Sequence, residues 1–232
     1  SEKITKFNDF DSLVTDENVL RGIYSFGFEV PSPIQQIAIK PIINRRDIIA
    51  QSHSGTGKTA TFMIALLQNI DETLNYTQAL VIAPTRELAN QIFDVYKNIA
   101  KYTKVTGTIC IGGSLRNKYS YYEEMNQHII IGTPGRMSDL IGKKIINGDN
   151  IKTLVIDEAD DVLSSSFQRQ IIKIFNGIPK KSQICLFSAT IPDEMFILTD
   201  KLLNNPIKIL VKDEELSLEG ISQYYVYLGS DD

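Results

Sequence analysis

The chain has 232 residues, 43% of them hydrophobic, enough for one large domain with a buried core. Its net charge of -4 excludes a protein that grips nucleic acid by bulk positive charge, so any such partner must be read from particular residues. No apolar run nears the ~18 residues that a membrane helix needs, and Ser1, Glu2 and Lys3 lack the layout of a secretory signal, so an intracellular protein with no membrane partner is expected.

In chain order, Ser32 followed by Pro33 predicts an N-cap and a first helical turn, opening a helix through about Ile43. The apolar run 47–50 predicts a strand, and it leads into Gln51-Ser52-His53-Ser54-Gly55-Thr56-Gly57-Lys58-Thr59, with a helical stretch from Ala60. Strand, glycine-rich loop and helix in this order make a phosphate cradle. The glycines let backbone N–H groups turn inward, and the helix adds its positive end. Lys58 supplies a point charge for outer phosphates and Thr59 a hydroxyl for Mg²⁺. Ser52 stands where the usual pattern opens with glycine, and His53 reads as a tolerated loop residue.

Further strands are predicted at 79–83, 108–111, 128–131, 153–156, 184–187 and 207–211, most of them apolar throughout, as strands covered on both faces are. Between them, 86–102 places Leu88, Ile92, Val95 and Ile99 at helical spacing, and another helix starts at Pro192-Asp193. Cys110 and Cys185 sit inside apolar runs and read as reduced core residues. Alternating strands and helices predict an α/β fold, an open, mostly parallel sheet with helices on both faces.

The strand 153–156 ends in Asp157-Glu158-Ala159-Asp160. Open α/β sheets bind ligands at the carboxyl ends of their strands, where the glycine loop also lies. Two adjacent carboxylates repel unless a cation sits between them and the phosphates, and Mg²⁺ suits that place. Asp157 is therefore read as the Mg²⁺ residue, acting through water, and Glu158 as the group that polarises an attacking water. After the charged stretch Lys212-Asp213-Glu214-Glu215, the run 222–228 reads as a strand with no sheet left to join, the start of a truncated second domain.

Together these residues resemble the DEAD-box RNA helicases, most closely the translation initiation factor 4A branch, over a span from Phe7 to Val226. Gly27-Phe28-Glu29-Val30-Pro31-Ser32-Pro33-Ile34-Gln35 resembles the Q motif. After the phosphate loop come Pro84-Thr85-Arg86-Glu87-Leu88-Ala89, Gly112-Gly113, Thr133-Pro134-Gly135-Arg136, Asp157-Glu158-Ala159-Asp160 and Ser188-Ala189-Thr190, in the family's order. The resemblance implies a Q-motif flank over 1–37, a RecA-like P-loop NTPase domain over 38–212, and over 213–232 a linker and the start of a second RecA-like domain.

It also implies ATP and Mg²⁺ as cofactors, with Lys58, Asp157 and Glu158 catalytic and Thr59 and Asp157 at the metal. Nucleotide contacts fall to Phe10, Phe28, Gln35, Ser54, Gly55, Thr56, Gly57, Lys58, Thr59 and Ala60; Gln35 would read adenine, and Phe10, or Phe7 in its stead, would stack on the base. Pro84, Thr85, Arg86, Gly112, Gly113, Thr133, Gly135 and Arg136 would touch the RNA backbone, so binding should be largely independent of base sequence. Ser188 and Thr190 would couple hydrolysis to strand separation.

The implied activity is RNA-stimulated ATP hydrolysis driving local duplex unwinding or RNP remodelling, in translation initiation or mRNA processing, in cytoplasm or nucleus. Scaffold proteins of the initiation-factor or exon-junction type are implied partners, beside the second RecA-like domain. A DNA translocase and an ATP-gated RNA clamp anchoring a multiprotein complex are the alternatives. Without the second domain's arginine finger, these residues are expected to bind nucleotide, hold RNA weakly and hydrolyse ATP slowly.

Overall fold

The computed structural model describes residues 5–53, 57–112, 126–164 and 166–211, and the backbone of 224–227. Each of the seven apolar runs forms a strand: β1 Ile48–Gln51, β2 Ala79–Ile82, β3 Gly107–Cys110, β4 Ile129–Gly132, β5 Thr153–Ile156, β6 Gln183–Ser188 and β7 Ile207–Val211. They pair in parallel in the order β3-β4-β2-β5-β6-β1-β7. An eighth strand, β8 (Tyr224–Tyr227), runs antiparallel along β7. The run expected to have no sheet to join therefore has one, at the edge of this domain. Periodicity marks a strand, but the register that pairs it is a long-range property.

Successive side chains point to opposite faces, and both faces are buried. Ile48 and Ala50, Ala79 and Val81, Ile129 and Ile131, Val155, and Cys185 and Phe187 enter one apolar cluster. Ile49, Leu80 and Ile82, Ile130, Leu154 and Ile156, and Ile184 and Leu186 enter the other. Cys110 and Cys185 are buried thiols, not joined in a disulfide, as expected.

The first cluster is covered by α2 (Glu17–Ser25), α3 (Pro33–Ile43), α4 (Lys58–Asn69) and α5 (Arg86–Ile99), with α1 (Phe10–Leu13) beside them. The second is covered by α6 (Pro134–Gly142), α8 (Gln168–Asn176) and α9 (Asp193–Leu202), with α7 (Ala159–Val162) at its edge. Helix starts follow the local chemistry. Asp16 caps α2 by accepting from the N–H groups of Asn18 and Val19, and Thr85 caps α5 by accepting from Leu88. Pro33 and Pro134 open α3 and α6, where no N–H is needed. Among the described residues no helix is long and apolar enough to cross a membrane.

Because β1 to β7 are parallel, their carboxyl ends share one rim. That rim gathers Ser52, Pro84, Thr133, Asp157 and Ser188, although they are far apart in the chain. At the opposite rim Asp47, just before β1, accepts the Ile184 N–H at 2.9 Å and the Asn204 N–H at 2.6 Å, fastening β6 and the approach to β7.

Candidate functional site

The sheet order places β6 between β1 and β5, so the chain leaving β1 and the acids leaving β5 face each other across one intervening strand. Lys58, first residue of α4, reaches over it. Its Nζ lies 2.9 Å from Glu158 Oε1 and 3.4 Å from Asp157 Oδ1. Lys58 is only 5% exposed and Asp157 fully buried. Burial on its own depresses the Lys58 ammonium, but the two carboxylates outweigh it and the net shift is upward. Burial pushes the Asp157 carboxyl up; Lys58 opposes the rise, and the neighbouring Glu158 charge adds to it.

Asp157 uses its oxygens unequally. Oδ1 accepts the Glu158 N–H at 2.9 Å and faces Lys58. Oδ2 is buried and accepts no hydrogen bond among the described residues. An anionic oxygen held away from water without a partner is costly, and a hydrated divalent cation would satisfy it. Mg²⁺ takes one or two carboxylates and keeps several waters, so this oxygen and the half-buried Thr59 suit it. Glu158 sits at φ 47°, ψ 53°, a left-handed conformation that costs a non-glycine residue roughly 1–3 kcal/mol. That backbone turns its carboxylate back toward Lys58.

Gly57, at φ 82°, caps α4. A Cβ here would stand 2.5 Å from Gln35 Nε2 and 2.9 Å from Ser32 Oγ, so glycine suits both the positive φ and the close approach to the start of α3. Gln35 is buried. Its Oε1 accepts the Ser32 N–H at 2.8 Å, and its Nε2 donates to Gly57 O at 3.2 Å. An amide has two donors and two lone pairs, so one of each remains for a base. Ala60 is buried behind the loop, and Ser54, Gly55 and Thr56 lie outside the described residues.

Phe10 does not face the ligand side. It is fully buried in the first core cluster, against Tyr24 at 6.2 Å and the half-buried Phe28 at 6.4 Å between ring centroids. An aromatic ahead of the Q motif reads equally well as core, and here packing took it. Phe7 is half-buried beside α3, packed against the same cluster, with its N–H donating to Gln36 O at 3.1 Å.

The turn after β6 links loop and acids. Ser188 Oγ accepts the Asp160 N–H at 3.2 Å, and Thr190 Oγ1 donates to Asp160 Oδ2 at 2.8 Å. On its other side the Ser52 N–H donates to Ser188 O at 2.9 Å.

Further along the rim, an open cleft of about 520 Å³ is lined by Pro84, Thr85, Arg86, Gly112, Thr133, Pro134, Gly135, Arg136, Asp139 and Phe167. It brings together seven of the eight residues read as backbone contacts; the eighth, Gly113, lies outside the described residues. The N-termini of α5 and α6 open onto it, and Thr133, N-cap of α6, makes no side-chain cap bond. Free N–H groups and positive helix ends suit phosphate oxygens. Asp139 and Phe167 were not read from the sequence. Asp139 sits one turn beyond Arg136, 3.4 Å from its Nη1 and 2.8 Å from Lys143 Nζ, and these cations hold its carboxyl below the usual range, the hydrogen bond from Lys143 most of all. Phe167 lies just before α8, with no local pattern to mark it.

The DEAD/DEAH box helicase family model matches residues 32–197. The chain belongs to that family. Among its helicase relatives, an "ATP-dependent RNA helicase eIF4A" of Meyerozyma guilliermondii is 48% identical over 224 residues, 96% of this chain and 56% of that protein. An "ATP-dependent RNA helicase FAL1" of Mycosarcoma maydis is 47% identical over 226 residues, 97% of this chain and 57% of that protein. The chain thus spans a little over half the length of these curated relatives.

Among solved structures, a DEAD box protein from the hyperthermophile Methanococcus jannaschii superposes with a TM-score of 0.82 at 35% identity, over 90% of this chain and 57% of that one. Dbp5 of S. cerevisiae bound to RNA and ADP BeF3 superposes with a TM-score of 0.80 at 35% identity, over 86% of this chain and 51% of that one. The RecA-like fold expected from the sequence is therefore that of the helicase family.

Proposed function

We propose that this chain is the ATP-binding domain of an ATP-dependent RNA helicase, taking ATP with Mg²⁺ at the β1–β6–β5 rim and RNA in the neighbouring cleft. One observation carries the reading: Lys58 lies 3.4 Å from Asp157 and 2.9 Å from Glu158, beside a buried Asp157 oxygen with no hydrogen-bond partner among the described residues. Family membership and relatives named as RNA helicases support it.

Each residue then has a task. The phosphates of ATP would draw Lys58 off Glu158, exchanging a carboxylate partner for a phosphate one. Glu158, released, can accept a hydrogen bond from water and orient it at the outer phosphate. Asp157 and Thr59 would hold Mg²⁺, which neutralises charge on the phosphate oxygens when bound. Gln35 would read the adenine edge with its remaining donor and lone pair, and Phe7, rather than the buried Phe10, would stack on the ring. In the cleft, Thr85, Thr133 and the amides of α5 and α6 would take backbone phosphates, with Arg86 and Arg136 adding charge. Strand separation and RNA-stimulated turnover are proposed for a protein in which this domain works with a second RecA-like unit. Scaffold proteins of the initiation-factor or exon-junction type are proposed as its partners.

Titration calorimetry with ATP, ADP and GTP, each with and without Mg²⁺, tests the site as a whole. The adenine nucleotides should bind, GTP should bind at least tenfold more weakly, and Mg²⁺ should strengthen ATP. Equal binding of GTP would remove Gln35 from its role. Glu158→Gln should leave ATP affinity within about twofold and lower single-turnover hydrolysis by about 10²-fold or more.

A further inference from the structure

The two halves of the nucleotide site are joined by Gln51, a side chain given no role above. Gln51 is the last residue of β1, immediately before the phosphate loop, and pairs in register with Ser188 of β6. The β1–β6 ladder continues only as far as the Ser52 N–H on Ser188 O, at 2.9 Å. At Ala189 the chain leaves the sheet, and there the Gln51 amide takes over: its Nε2 donates to Ala189 O at 3.2 Å. The residues on either side of that carbonyl are the two that hold Asp160, Ser188 through Oγ and Thr190 through Oγ1. Asp160 lies two residues beyond Glu158, in the first turn of α7.

We propose that Gln51 is a positioning residue for the hydrolysis step, tying the stem of the phosphate loop to the Ser188-Ala189-Thr190 turn and through it to the segment that bears Glu158. The idea rests on the ATPase reading above and adds a route by which filling the loop moves the acids. The fold does not need the contact, because β1 is already paired in parallel on both sides, with β6 and with β7. The chemistry needs a long side chain with a donor. Leucine has similar bulk without the N–H, and glutamate has the length but sets an acceptor against a carbonyl.

Hydrogen–deuterium exchange on this chain, with and without the β,γ-imido analogue of ATP and Mg²⁺, is the test. In the wild type, nucleotide should slow exchange at residues 188–190 and 159–161. In Gln51→Leu and Gln51→Glu, analogue affinity should stay within about twofold, while the slowing at both segments shrinks at least fivefold. Hydrolysis at saturating ATP should fall about tenfold with KM unchanged, the scale of one hydrogen bond. If the leucine variant does not fold, the glutamate variant carries the test alone.

Slowing and hydrolysis that persist in the variants overturn the proposal, as does a loss of affinity that accounts for the whole effect. So does a wild type whose two segments ignore the nucleotide. The ATPase reading itself falls only if the wild type binds no nucleotide, or if Lys58→Ala binds it as the wild type does.

Discussion

Two aspartates are buried at opposite rims of the sheet, and they are treated differently. Asp47, entering β1, has both carboxylate oxygens filled by backbone N–H groups, from Ile184 at 2.9 Å and Asn204 at 2.6 Å. Asp157, leaving β5, has one oxygen engaged by the Glu158 N–H and Lys58, while the other accepts no hydrogen bond among the described residues. Burial raises both carboxyls above 3.8, by desolvation before anything else. The first is spent on architecture, pinning the start of β6 and the turn before β7. The second is the carboxylate proposed above to hold Mg²⁺. A buried acid with every lone pair answered is a fastener, and one left unanswered marks a binding site.

The sharpest way to break this contrast is Lys58→Ala, which strips the cation from buried Asp157. It should cost about 3–5 kcal/mol by urea unfolding and abolish nucleotide binding in calorimetry. Asp47→Asn comes next. It turns an acceptor into an NH₂ group facing a backbone N–H and should cost about 2–3 kcal/mol, with nucleotide affinity unchanged. Tyr96 gives a neutral comparison. Its hydroxyl donates to Val105 O at 2.9 Å, and burial raises its pKa to about 12. Stability from a raised group is whole below its ordinary value of 10.0 and drains away as pH rises through about 12. Tyr96→Phe should cost about 1 kcal/mol at neutral pH and flatten the decline in that alkaline window.

The smallest effect on stability is expected for Asp157→Asn, under about 1 kcal/mol, because it removes a buried charge while Lys58 keeps its nearer partner, Glu158 at 2.9 Å. The same variant should erase the strengthening of ATP by Mg²⁺. Both raised aspartates contribute fully below pH 3.8 and lose that contribution as pH rises through their folded values. As pH rises from 3.8, the wild type should therefore lose stability relative to Asp157→Asn, read from the difference between their urea midpoints. A cost for Asp157→Asn as large as that for Asp47→Asn would erase the distinction.

Much of this molecule is legible in the sequence. Strands covered on both faces leave unbroken apolar runs, so all seven parallel strands stood out, and Ser32-Pro33 marked the start of α3. The glycine loop and the acids were readable because their chemistry demands particular residue types in order. Partnership across space was not readable. Phe10 reads by resemblance as a base-stacking ring but lies in the core, and nothing local distinguishes the two uses. The run ending the chain is plainly a strand, yet only tertiary register places it against β7. Asp47, Gln51 and Phe167 carry no pattern of their own, since their partners come from distant segments.

β6 carries Phe187 and Ser188 side by side. Phe187 packs its ring 5.2 Å from that of Phe62 on α4, while Ser188 forms the seam between loop and acids. A methylene added or lost beneath this strand would tilt the charges above it without touching one of them. Heat- or cold-sensitive alleles that bind nucleotide yet fire it poorly should therefore be sought among wholly greasy residues, in the layer under β6.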